Sequence, residues 1–186
     1  LRAGDPARAV ELYGRCASLD EGDPGFLLAQ AKALAEVGDA EAIEARWAML
    51  DAHPAADDAL RARMLVALGD AWAHRGDALR AADAWRRAGE LPVDGDTARS
   101  LDVKTEAVAD AEIAAAVLPY LAEGTDAKLI AVRDLLERRP DYATGWYLVG
   151  RRLVQRDEPA LALAHLDRAL ASKLPSARVE DRKSVV

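Results

Sequence analysis

The sequence predicts an all-α fold, an α-solenoid in which antiparallel helix pairs stack along the chain. Three observations predict it. Leu65, Leu68 and Trp72 fall three and four residues apart on one helix face, and Ala81, Trp85 and Ala88 do the same on the next. Between them stands Gly76-Asp77, a glycine able to end one helix in the left-handed conformation and an aspartate able to cap the following one. The landmarks then recur together: Gly4 to Gly38 and Tyr13 to Trp47 are 34 residues apart, while Gly38 to Gly76, Trp47 to Trp85 and Pro54 to Pro92 are 38 apart. That is internal repetition of a helix–turn–helix unit, which buries its apolar face by stacking on its neighbours.

Taken in order, residues 1–22 read as a half-repeat, the second helix of a unit whose first helix is absent. Gly4-Asp5 is its turn, and Ala9, Tyr13 and Cys16 form its inner stripe. The chain therefore reads as a fragment of something longer, and its compartment stays unassigned. Cys16 on that stripe is expected to be a buried structural thiol. The first full repeat, about 24–57, carries Leu27, Ala31 and Leu34 on its first helix, Gly38-Asp39 at the turn, Ile43, Trp47 and Leu50 on its second helix, and Pro54 as a stop.

The repeat at 58–95, clearest over 62–95, reads Leu65-x-x-Leu68-Gly69-x-x-Trp72, Gly76-Asp77, Ala81-x-x-x-Trp85-x-x-Ala88 and Pro92. These residues resemble the tetratricopeptide repeat (TPR), whose 34-residue unit has Leu-Gly, aromatic, Ala and Pro landmarks at these offsets. Gly69 inside a helix costs about 1 kcal/mol against Ala, so it predicts a close backbone approach by the second helix.

The next interval lengthens. Gly76 to Gly124 and Pro92 to Pro140 both span 48 residues, about fourteen more than the shorter interval, or roughly 21 Å of extra helix. The repeat at 96–140 is therefore expected to hold one elongated helix over 97–118, kinked by proline near 117–119. A shorter helix over 126–138 follows. The repeat at 141–175 carries Trp146, Val149-Gly150 and Leu153, a turn at Asp157-Glu158-Pro159 without the Gly-Asp pair, then Ala162, Leu166 and Ala169. Residues 176–186 are expected to start a partial C-terminal helix. The whole is read as a single repeat domain, 1–186.

Composition narrows the function. The 186 residues are 51% hydrophobic and 31% charged, with one cysteine and a net charge of −7. A disulfide framework within the chain is excluded, and nucleic-acid binding is disfavoured by the acidic balance. No apolar run approaches the roughly 20 residues that span a bilayer. Residues 1–124 carry 13 Lys+Arg against 23 Asp+Glu, residues 125–186 carry 12 against 9, and the basic end includes Arg138, Arg139, Arg151, Arg152 and Arg156. Solvated helix faces account for that end, and a surface for an acidic partner is the sharper alternative. Arginine outnumbers lysine about four to one, which points to a high-GC genome and nothing more, and a bacterial source is expected.

No catalytic or metal-ligand spacing surrounds His53, His74 or His165, and acid pairs such as Asp57-Asp58 and Asp157-Glu158 stand at helix starts, where capping explains them. No enzyme activity, cofactor or metal is expected. Arg75-Gly76-Asp77 is read as the ordinary repeat turn, and Trp47, Trp72, Trp85 and Trp146 as core. The resemblance implies a right-handed superhelix whose first helices line a concave groove that binds a peptide or protein partner. Off-stripe residues of those helices are the candidates: Lys32, Glu36, Arg63, Asp70, His74, Tyr147, Arg151 and Gln155. The chain has no asparagine, so the family's Lys/Asn clamp for a C-terminal carboxylate is excluded. The leading expectation is a non-catalytic interaction scaffold. The alternatives are a positioning region of a larger enzyme or membrane-associated protein, and self-association through uncapped end repeats.

Overall fold

The computed structural model describes residues 5–20 and 22–172. Gly4, Pro175 and the partial helix expected at 176–186 lie outside them. Among the described residues every regular element is a helix. The order is α1 (Pro6–Leu19), α2 (Gly25–Glu36), α3 (Ala40–Asp51), α4 (Asp58–His74), α5 (Ala78–Gly89), α6 (Gly95–Ala107), α7 (Ala111–Glu123), α8 (Asp126–Arg138), α9 (Ala143–Gln155) and α10 (Pro159–Ala171). The chain divides into two compact units, 1–123 and 124–186. Each is built of helix hairpins.

Short polar side chains start these helices. Asp5, Asp39, Asp57, Asp77 and Asp94 each accept a hydrogen bond from the backbone N–H three residues on, at 2.7 to 3.1 Å, and Thr125 does so at 3.4 Å. A cap of this kind stabilises a helix by about 1 kcal/mol, so the spacing of these residues fixes the hairpins locally. Gly38 and Gly76 adopt φ of +72° and +79° at the turns, the left-handed conformation that lets each helix reverse onto the next. In the last hairpin Asp157 takes that conformation instead, with φ of 59°.

In the first unit α4 packs against α2, α3, α5 and α7, so that α2, α4 and α7 run side by side. The core holds Leu27, Ala31, Ile43, Leu50, Leu65, Leu68, Trp72 and Trp85, the last only 1% exposed. Half-buried Cys16 departs from the expectation, because α1 packs against its neighbour without fully burying any residue. Trp47 and Trp146 are likewise half-buried rather than core. Each lies beneath a guanidinium, Arg87 over Trp47 at 5.6 Å and Arg168 over Trp146 at 4.4 Å. In the second unit α9 packs against both α8 and α10.

The elongated, proline-kinked helix expected over 97–118 is instead two helices, α6 and α7, broken at 108–110. Asp110 causes the break: its carboxylate accepts from the N–H groups of Glu112 and Ile113 at 2.8 and 3.3 Å and opens α7. Pro119 sits inside α7. The carbonyl its missing N–H would have bonded is that of Ala115, an exposed residue whose carbonyl water can satisfy. The inserted residues are thus a separate helix, α6, which packs against α5 and α7.

Candidate functional site

A groove of about 550 Å³ opens in the first unit. Lys32, Ala35 and Glu36 of α2 line it, with Arg63, Val66, Ala67, Asp70, Ala73 and His74 of α4. Trp85 comes from α5, Asp96, Thr97 and Ser100 from α6, and Leu121 and Ala122 from α7. Lys32, Glu36, Arg63, Asp70 and His74, singled out from the sequence, therefore meet in one concavity. Residues four apart on α2 and seven apart on α4 present them to the same side, because each is one or two helical turns from the next.

The groove has an apolar floor and a mixed rim. Lys32, Glu36, Arg63 and His74 are exposed. Among the described residues Lys32 and Glu36 form no ion pair, and the Arg63 Nε donates to the Ala59 carbonyl of its own helix at 3.2 Å. Asp94 at the start of α6 is held below the usual carboxylate range, first by the Thr97 N–H and side chain it accepts from and last by the charge of Arg63. Asp70 is differently placed. It accepts from the Trp85 Nε1 at 3.1 Å and from the Lys104 Nζ at 2.5 Å, while Lys104 lies 5.6 Å from the Trp85 ring centroid. Lys104 is 13% exposed. Asp70 thus ties α4, α5 and α6 together at the groove wall.

His74 also has a structural side. A β-carbon at Gly38 would come within 2.8 Å of its ring, so the imidazole rests on the α2–α3 turn. Asp96, Thr97, Ser100, Leu121 and Ala122 were not singled out from the sequence. For Asp96, Thr97 and Ser100 the lengthened 48-residue interval was the signal that could have found them, since the added residues are the helix that carries them.

Tyr147, Arg151 and Gln155 lie on α9 in the second unit, Tyr147 half-buried and the other two exposed. They are not among the residues lining that unit's cavity, to which α9 contributes Trp146 and Val149. Much of the basic end is neutralised. Arg152 pairs with Asp126 at 2.8 Å, Arg156 with Glu158 at 2.8 Å and with Asp126 at 3.7 Å, and Arg139 with Asp141 at 4.0 Å. Hydrogen bonding from Arg152, with the charges of Arg152, Arg156 and Arg133, holds the Asp126 carboxyl below its ordinary range.

Among the described residues no group of three or more His, Cys, Asp and Glu side chains is placed to hold a metal ion, and no helix is long and apolar enough to cross a membrane. No protein-family model matches the chain, and no curated protein matches it. Among solved structures, the crystal structure of MamA is similar over 98% of this chain and 93% of that one, with 18% identical residues and a TM-score of 0.43. A likeness that distant carries no argument about activity.

Proposed function

We propose that the first unit is a non-catalytic binding module that takes a polypeptide segment of a protein partner into the groove between α2, α4, α6 and α7. The supporting observation is the convergence of Lys32, Glu36, Arg63 and His74 around an apolar floor of Val66, Ala67, Leu121 and Ala122. Such a surface suits an extended peptide: apolar side chains lose contact with water on the floor while rim charges of both signs select its sequence. The side-by-side row of first helices provides the long concave surface that helical repeats use for this purpose. The first unit alone carries this proposal.

The test is recovery of partners from the native extract by the full chain and by a Lys32→Glu/Arg63→Glu variant, read by mass spectrometry, with helicity checked by circular dichroism. Binding to a recovered partner is then measured by calorimetry with both proteins. A partner bound at least tenfold more weakly by the variant, at unchanged helicity, is the expected result. Equal binding by both overturns the groove and leaves the helices as a positioning element of a larger protein.

A further inference from the structure

A second cavity, of about 390 Å³, lies wholly within the second unit and brings together α8, α9 and α10. Its centre is an aromatic plate. The Trp146 indole N–H donates to the Pro140 carbonyl at 2.9 Å, which fixes the ring, and His165 stacks on it with centroids 5.5 Å apart and planes 18° from parallel. The Arg168 guanidinium lies 4.4 Å from the Trp146 centroid. A guanidinium held on a ring keeps in-plane N–H donors free for an acceptor at its edge. Arg133 of α8 lines the same cavity.

These two arginines differ from the paired cations elsewhere in the unit. Among the described residues neither Arg133 nor Arg168 forms an ion pair, whereas Arg139, Arg152 and Arg156 all do. Glu137 also lines the cavity. With His165 neutral, the lining charges of Arg133, Arg168 and Glu137 leave one net positive charge, which a monoanion neutralises. The half-buried Trp146 is the apolar surface of the wall that a short stem would meet, Val149 beside it being fully buried.

We propose that this cavity receives the carboxylate side chain of an acidic segment on a protein partner, with Arg133 and Arg168 donating to the carboxylate and Trp146 supporting its methylene stem. This site is independent of the groove in the first unit. Charge-assisted bonds from two guanidiniums supply the recognition. His165 adds a pH dependence. Burial first, then the charges of Arg133 and Arg168, push its pKa below 6.5, so the ring is neutral at pH 7. Arg133 acts on it from α8 and Arg168 from its own helix, Glu137 of α8 lines the same cavity, and α9 stacks Trp146 on it. A bound carboxylate favours the imidazolium and moves that pKa upward.

The experiment is a nuclear magnetic resonance titration of the full chain with the blocked peptide acetyl-Ala-Glu-Glu-Glu-Ala-amide, and separately with inorganic phosphate. The Trp146 indole N–H and the His165 imidazole are followed. Expected are saturable shifts of both signals with the peptide, an upward move of the His165 pKa on binding, and affinity reduced at least tenfold in Arg133→Gln/Arg168→Gln. Arg156→Gln, a paired arginine outside the cavity, should bind as the parent does. Unshifted signals, an equal loss in Arg156→Gln, or undiminished affinity in the double variant would overturn the site. Phosphate binding as tightly as the peptide would overturn the carboxylate assignment.

Discussion

The Trp85 indole occupies the space that a β-carbon on Gly69 would need, its Nε1 and Cδ1 lying inside van der Waals contact of that position. The glycine in the middle of α4 is therefore there for a side chain, where the sequence had suggested a backbone approach. Trp85 gains a 1% exposed seat and a hydrogen bond from its Nε1 to Asp70 in return. Gly69→Ala is expected to force the indole away and to destabilise the first unit by about 1–3 kcal/mol, the usual result of overpacking, despite alanine's better helix propensity. Urea denaturation followed by tryptophan emission measures it, and a variant as stable as the parent would refute the steric account.

The ion pair between Lys104 and Asp70 spans 34 residues and couples α6 to α4. With Lys104 largely covered and Asp70 more open, removal of the cation is expected to cost about 1–2 kcal/mol, between the figures for exposed and for buried pairs. Lys104→Met should show this loss in the denaturation midpoint, and it should also weaken any ligand of the groove by disordering the α6 wall. Wild-type stability with wild-type binding would mean that α6 is held by its apolar contacts alone.

Asp157 offers a gain. Its φ of 59° is a conformation that aspartate tolerates but glycine adopts freely, as Gly38 and Gly76 do in the equivalent turns. Asp157→Gly is expected to stabilise the second unit by about 0.5–1 kcal/mol, seen as a rise in the thermal midpoint. A fall would show that the aspartate side chain contributes something the backbone angle does not reveal.

Acid should weaken the second unit in two steps. The folded pKa of His165 is depressed below 6.5, so this contribution is present above about pH 6.5 and is lost as pH falls towards the folded value, because the unfolded chain takes up the proton first. Asp126, depressed below 3.8, behaves the same way at lower pH. His165→Gln should flatten the stability profile between pH 7 and 5 and leave the loss below pH 4 intact. An unchanged slope would remove His165 from the account.

How much of this was readable beforehand depended on whether a feature was local. Asp39, Asp57 and Asp77 act as caps because a carboxylate reaches an N–H three residues on whatever surrounds it, and the hairpins followed from that together with the Leu-Gly and Ala stripes. Lys32, Glu36, Arg63 and His74 were legible as rim residues because a helix stripe that packs leaves a definite opposite face exposed. Asp70 was legible as a groove residue in the same way, but its partners Trp85 and Lys104 come from two other helices and leave no trace in the spacing along α4. The break at 108–110 is not legible from proline, which α7 accommodates with an exposed carbonyl four residues before Pro119, but from Asp110, a capping aspartate inside a stretch of helical composition. Pairing across helices, such as Arg168 on Trp146, has no signature in the spacing.

The crowding of α4 also governs how the first unit comes apart. Nine of its residues are buried and four other helices lean on it, whereas α1 has no fully buried residue. Local opening costs least where few contacts must be broken, so backbone amides in α1 exchange with solvent deuterium through fraying, and those of α4 exchange only when the whole unit opens. The helix that gives the groove more lining residues than any other is thus the last to yield, and the groove wall outlives the loosening of the unit's edge.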